Sequence, residues 1–301
     1  MRYIFANRNA TTLVMLLAAF ALLAVPAFAQ EDTEGANEEQ VLSFVDDYVT
    51  NYLANQPNLG LTPIFPTLTE DQAIDFQEAF VDEIVAQGDA VVGYKLGFTG
   101  YAPLPFDAPR PIYGRLLASQ EIAAGNPISV SENFIAGGVG VELGIIISED
   151  AAFAPEDFPL DDETLMNLIG GIVPTAEMAD FSSLGAVNYL DLYANSAAAG
   201  IFVRGEEVTL DELEMGLDNI AVTATRDGEV IYEGMSGNLL EGQGQLAALS
   251  YMLERLAERG LGVSAGDIIA TGTFGADLPL TPGDVEIDYG PLGVITLTFV
   301  E

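Results

Sequence analysis

Apolar positions recur with a helical period at the start of the patterned chain. Val41, Phe44, Val45, Tyr48, Val49, Tyr52 and Leu53 follow i, i+3, i+4, i+7 spacing and predict an amphipathic helix. A proline-containing loop, residues 58–66, comes next. Thr69 and Gln72 have the spacing of a capping box, and Ala73, Gln77, Phe80, Val81 and Ile84 lie along the helix it opens. From Ala90 the period shortens. Residues 90–96 read as a buried strand, and Val139–Ile147 as another carrying Glu142 among Val, Leu and Ile. A short helix is predicted over Asp162–Ile172, after which Val173–Met178 leads out Glu177. Asp227-Gly228 signals a hairpin between residues 220–226 and 229–233. Leu246, Leu249, Leu253, Leu256 and Ala257 predict a further helix stopped by Gly260. Glycine turns at 265–267 and 282–284 introduce strands at 268–271 and 285–289, and residues 290–293 connect to a last strand over 294–299. There is no internal repeat and no βαβ alternation. The pattern predicts an α+β domain over 40–301, with a helical prefix (40–88) and a β-rich body (89–301).

The N-terminus follows a different rule. Arg2 and Arg8 precede an apolar run from Leu13 to Val25, and Ala27-Phe28-Ala29 supplies a small-residue cleavage site. This predicts a signal peptide over 1–29, export to the periplasm or beyond, and no membrane span in the mature chain. Residues 30–39 are acidic and predict a flexible leader.

Composition narrows the chemistry. The chain holds 46 acidic and 9 basic residues, a formal net charge of −37, and loss of the two leader arginines deepens the excess. Such a field disfavours nucleic acid and anionic lipid as partners. Half of the chain is apolar and the acids are scattered, which argues for a folded core with a highly solvated surface. With no cysteine, that core holds the fold without disulfides. Histidine is absent too, which excludes Ser-His-Asp and Cys-His catalysis and ordinary zinc sites. Oxygen-ligand metal chemistry, proton transfer by carboxylates and lysine, or binding alone remain.

Three charged residues then draw attention. Lys95 is the one lysine of the chain, set in Gly93-Tyr94-Lys95-Leu96-Gly97-Phe98-Thr99-Gly100. An ammonium in apolar surroundings suits proton transfer or anion binding, and equally a structural ion pair. Glu142 and Glu177 each interrupt an apolar strand. Converging, they would suit a hard cation such as Mg²⁺, Mn²⁺ or Ca²⁺; on half-exposed strands they would face solvent.

Gly93–Thr99, Asp107–Gly114, Val141-Glu142-Leu143, Ala176–Asp180, Ala265–Gly272 and Pro282-Gly283-Asp284 occur in an order that resembles the 2-keto-4-pentenoate hydratase family. That family lies within the larger fumarylacetoacetate hydrolase-like group, and the likeness runs over most of residues 40–301. The resemblance implies a compact β-rich fold and a divalent metal, Mg²⁺ or Mn²⁺, chelating a small unsaturated 2-oxo acid. It implies hydration through a metal-stabilised enolate, with a 2-oxo acid decarboxylase or an exported inactive homologue or binding protein as alternatives, and a homo-oligomer. By the same resemblance Glu142 and Glu177 are metal ligands, and Lys95 is the proton-transfer or enolate-stabilising cation. Asp107 is then its acid–base partner, while Asn195, Ser196 and Thr271 line the substrate pocket. Two positions depart from the family pattern: Gly140 stands where its Glu-x-Glu motif begins, and Ala194 where an aspartate usually precedes the asparagine. Glu132, Glu149 and Asp150 are acids able in principle to substitute, though the sequence does not locate them.

Overall fold

A computed structural model describes residues 36–101, 103–184, 188–275 and 277–301. The predicted signal peptide and residues 30–35 of the leader lie outside the described residues. Among the described residues no helix is long and apolar enough to cross a membrane.

The helices are α1 (Glu38–Leu42), α2 (Val45–Leu53), α3 (Glu70–Ala86), α4 (Val130–Asn133), α5 (Asp162–Asn167), α6 (Tyr189–Ala194) and α7 (Gln245–Glu258). The strands are β1 (Asn58–Leu59), β2 (Val91–Gly97), β3 (Ile112–Leu117), β4 (Pro127–Ser129), β5 (Gly137–Ile147), β6 (Ile169–Asp180) and β7 (Ser183–Leu184). They continue with β8 (Ile201–Arg204), β9 (Ala221–Arg226), β10 (Glu229–Met235), β11 (Ile268–Ala270), β12 (Leu278–Pro279), β13 (Gly283–Asp288) and β14 (Val294–Val300). The α+β architecture expected from the pattern is the one observed.

Two predicted elements end elsewhere. The first amphipathic stripe is divided into α1 and α2, because the Ser43 hydroxyl donates to the Gln40 carbonyl and tightens the chain there. The stripe still buries Val41, Val45, Tyr48 and Val49, and Phe44 packs edge-on against Phe65. The leader also ends earlier than expected: the Ala36 N–H donates to Thr67, and Asn37 caps α1. The helix predicted to run to Ile172 stops at Asn167. Leu165, Leu168, Ile169 and Ile172 keep helical spacing, but pairing from Ile169 onward with β5 wins over it. The capping box at Thr69 and Gln72 forms as expected.

One sheet has the order β3-β2-β11-β5-β6-β8, with β12 also joined to β5. A second sheet runs β10-β9-β13-β14-β4, and β1 pairs with β7. The first sheet is mixed: β2 and β11 are parallel, whereas β5 is antiparallel to both β11 and β6. Alternation along β5 sorts its side chains. Val139, Val141, Leu143, Ile145 and Ile147 enter the main core with Ile172, Ala176 and Met178. Gly140, Glu142 and Gly144 point the other way, toward the face that carries Val173, Thr175 and Glu177 on β6. In register with them, Lys95 on β2 lies beside Ala270 on β11, and Ala270 beside Gly144. Small residues between the charged ones thus leave a floor that long side chains can reach across.

Candidate active site

Strands β2, β5 and β6 bring Lys95, Glu142 and Glu177 to one cavity of about 240 Å³. All three are buried, at 3%, 2% and 2% exposure. Lys95 Nζ donates to Glu177 Oε2 at 2.9 Å, and the Gly200 N–H donates to Glu177 Oε1 at 3.3 Å. Glu142 Oε2 accepts from the Gly272 N–H at 3.1 Å. Gly272 holds φ +95°, and a Cβ there would stand 1.8 Å from Thr99 Oγ1, so only glycine delivers that N–H. Glu142 Oε1 accepts no hydrogen bond from the described residues.

The charges do not balance. Two buried carboxyls share one ammonium, and each carboxylate is costly to bury. Burial, followed by the charge of Glu177, pushes the Glu142 carboxyl up to about 8 against the opposing pull of Lys95 and the Gly272 N–H. Burial raises Glu177 too, opposed by the Lys95 ammonium through its charge and hydrogen bond. In the absence of a further cation, Glu142 holds a proton at neutral pH. Paired groups displaced in this way occur at functional sites and in structural ion-pair networks alike.

Aromatic and apolar side chains, Phe98, Tyr101, Phe106, Phe181 and Leu192, also line the cavity. Phe98 and Phe106 face one another with ring centroids 5.9 Å apart. Both adopt positive φ, +68° and +58°, as do Ser196, Ala197 and Ala198 in the run that carries Ala197 into the wall. Such conformations cost about 1–3 kcal/mol each and concentrate where a ligand is gripped.

The remaining sequence-predicted residues have other surroundings. Asp107 is exposed at φ +56° and does not line the cavity; its neighbour Phe106 does. Asn195 Nδ2 donates to Ser182 Oγ at 2.8 Å and faces a separate polar cleft that Asp180 and Asn58 also line. Ser196 Oγ accepts from the Arg115 N–H at 2.8 Å and donates to the Arg115 carbonyl at 3.0 Å, pinning β3. The Thr271 hydroxyl donates to the Leu143 carbonyl at 3.0 Å and is fully buried behind the wall. These three side chains hold the frame of the cavity. Neither Glu132, Glu149 nor Asp150 reaches it, whereas Thr273, in the stretch 271–273 that resembles a pocket-edge loop of the family, and Asp277, which the sequence pattern passes over, are in its lining.

Can this site hold a cation? The donors are carboxylates and a hydroxyl, the oxygen set of Mg²⁺ or Ca²⁺. Glu142 Oε1 accepts no hydrogen bond from the described residues, and loss of the Glu142 proton leaves the site one negative charge beyond what Lys95 neutralises. The residues fit a divalent ion. Among the described residues no three acidic side chains stand close enough together to hold a metal ion as they are placed, so Glu142 and Glu177 are the pair that would hold it.

The fold and the carboxylate–lysine floor define a class that comparison with known proteins identifies. The profile of the family described as fumarylacetoacetate (FAA) hydrolase C-terminal matches residues 96–300, and the chain belongs to that family. Among curated relatives, the 2-oxo-hept-4-ene-1,7-dioate hydratase of Escherichia coli is 25% identical over 78% of this chain and 89% of its own. The 4-oxalocrotonate decarboxylase of Pseudomonas putida is 24% identical over 88% of this chain and 98% of its own. A solved structure of 4-oxalocrotonate decarboxylase from Pseudomonas putida G7, complexed with magnesium and adipate, matches with a TM-score of 0.78. It is 25% identical and covers 88% of this chain and 99% of that one. The relatives are thus hydratases and decarboxylases of 2-oxo acids, and they support an enzyme of this kind.

Proposed function

We propose that the protein is a divalent-metal-dependent hydratase of a small unsaturated 2-oxo acid. The observation that carries this reading is the buried group Lys95, Glu142 and Glu177 at the floor of a cavity sized for a short acid. Glu142 and Glu177 would hold a Mg²⁺-class ion, with Mn²⁺ or Ca²⁺ as substitutes. When bound, that ion supplies Lewis-acid polarisation of a 2-oxo carbonyl.

The chain's own residues supply the rest. Lys95 brings the positive charge that a substrate carboxylate or a developing enolate oxygen needs, and its bond to Glu177 fixes where that charge stands. Phe98, Phe106 and Phe181 shield the hydrocarbon part of the substrate from bulk water. Asp107 serves as acid–base partner only if its loop turns inward, so the hydratase reading assigns proton delivery first to Lys95.

Decarboxylation is the second reading, favoured by the match to the magnesium- and adipate-bound decarboxylase along nearly its whole length. Loss of CO₂ needs the same carbonyl polarisation and no added water. The test is to incubate the purified protein with 2-keto-4-pentenoate and with 4-oxalocrotonate, with Mg²⁺ or with EDTA. Mg²⁺-dependent hydration that Glu177→Gln abolishes supports the hydratase, and CO₂ release from the second acid alone replaces it with the decarboxylase. Turnover of neither, with no binding of oxalate in the presence of Mg²⁺, overturns the enzyme reading and leaves an inactive homologue. We also propose export with cleavage after Ala29, checked by N-terminal sequencing of the secreted protein. A homo-oligomer, proposed from the family likeness, is checked by sedimentation.

A further inference from the structure

We propose that Asp277 is the third carboxylate of the cation site, reaching it from the loop facing β5; this rests on the reading above that the cavity binds a divalent ion. The argument begins with what is missing from β5. Gly140 pairs with Glu177 across the ladder, and a Cβ on Gly140 would stand 2.8 Å from Glu142 Oε1 and 2.6 Å from Thr273 Oγ1. A side chain at 140 would therefore project onto the cavity floor, beside the one carboxylate oxygen that receives no hydrogen bond from the described residues. Position 140 carries no side chain, and a loop on the far side borders the same space.

That loop runs from β11 to β12. The Thr273 hydroxyl, next to the bare position, donates to Asp277 Oδ1 at 3.0 Å. Asp277 lines the cavity together with Glu142 and Glu177. A second glycine makes room for it: a Cβ on Gly138 would lie 2.8 Å from Asp277 Cβ and 3.5 Å from Asp277 Cγ. The aspartate side chain thus rests on bare backbone. Pairing of Leu278 with Val139, and of Pro279 with Gly138, fixes the loop at that spot. Alternate glycines on one strand, facing one acid on the next segment, amount to a relocated ligand: the acid is supplied by the loop and the strand gives way to it. Asp277 stands at the rim and is exposed, so cation binding orders its side chain and completes the site.

Calorimetric titration of Mg²⁺ and of Mn²⁺ alone into the purified protein, at moderate salt and without substrate, tests this. Asp277→Asn should weaken binding about tenfold or more, because affinity for hard cations follows the count of charged ligands. Gly138→Ala, which removes no donor, should weaken it in the same direction by displacing Asp277. The double variant Asp277→Asn with Gly140→Glu should recover most of the loss. The two atoms nearest a Cβ at 140, Thr273 Oγ1 and Glu142 Oε1, are the ends of rotatable side chains, and φ there lies outside the left-handed region. Unchanged affinity in Asp277→Asn, with loss in Glu177→Gln, overturns the role of Asp277 and leaves the cation reading intact. Absence of binding in the unaltered protein overturns both.

Discussion

The floor of the cavity and its rim are built on opposite principles. Lys95, Glu142 and Glu177 project from three strands of one sheet, buried, and tied to each other or to backbone N–H groups. The rim is made of loops: Phe98 and Phe106 in left-handed conformations, and Asp277 exposed beside a glycine-lined edge. A sheet fixes charged groups within tenths of an ångström, whereas loops permit acids and aromatics to be exchanged without disturbing the ladder.

The contrast is broken most severely at the ion pair. Lys95→Met leaves Glu177 buried with no cation beside it, and urea unfolding at pH 8 should show a loss of about 3–5 kcal/mol, with activity abolished. Retention of both stability and activity would remove Lys95 from the centre of the site.

Next comes the pH response of Glu142. Its carboxyl ionises at about 8 in the folded protein and near the ordinary glutamate value of about 4.3 when unfolded. Between those values the folded state binds more protons, so this contribution to stability is full below pH of about 4 and is lost as pH rises through 8. In EDTA, the melting temperature of the unaltered protein should therefore fall more steeply from pH 5.5 to 8.5 than that of Glu142→Gln. Parallel curves would deny the displaced carboxyl.

Smaller effects separate frame from site. Ser196→Ala removes two hydrogen bonds to the Arg115 backbone and should cost about 1–2 kcal/mol in denaturant unfolding while leaving Mg²⁺ affinity unchanged. A changed affinity would return Ser196 to the site. Asp107→Asn, on the exposed loop, should alter stability by no more than about 0.5 kcal/mol. A large fall in turnover would show that its loop closes over the substrate.

Much of this was legible beforehand, for identifiable reasons. The capping box at Thr69 and the Asp227-Gly228 hairpin are local, so the chain writes them in adjacent residues. Glu142 and Glu177 stood out because a charge in an apolar strand is rare enough to be read against its neighbours. Asp277 had no such contrast: it is one of 46 acidic residues, on a polar loop, and its relation to Gly138 and Gly140 exists only through the pairing of β12 with β5. Ser196 and Thr271 are assigned to the pocket by the family resemblance alone, and small polar residues near glycine serve ligands and backbone alike. Their partners, at Arg115 and Leu143, are distant in sequence. The division at Ser43 depended on one hydroxyl preferring the carbonyl three residues back.

The solitary lysine has a practical consequence. Acylating reagents that seek ε-amines have a single side-chain target in this protein, and it is 3% exposed at the foot of the cavity. The rate at which Lys95 is labelled is therefore an intrinsic clock for opening of the mouth. Mass spectrometry can read it without adding a probe, and a ligand that occupies the cavity should slow it in proportion to occupancy.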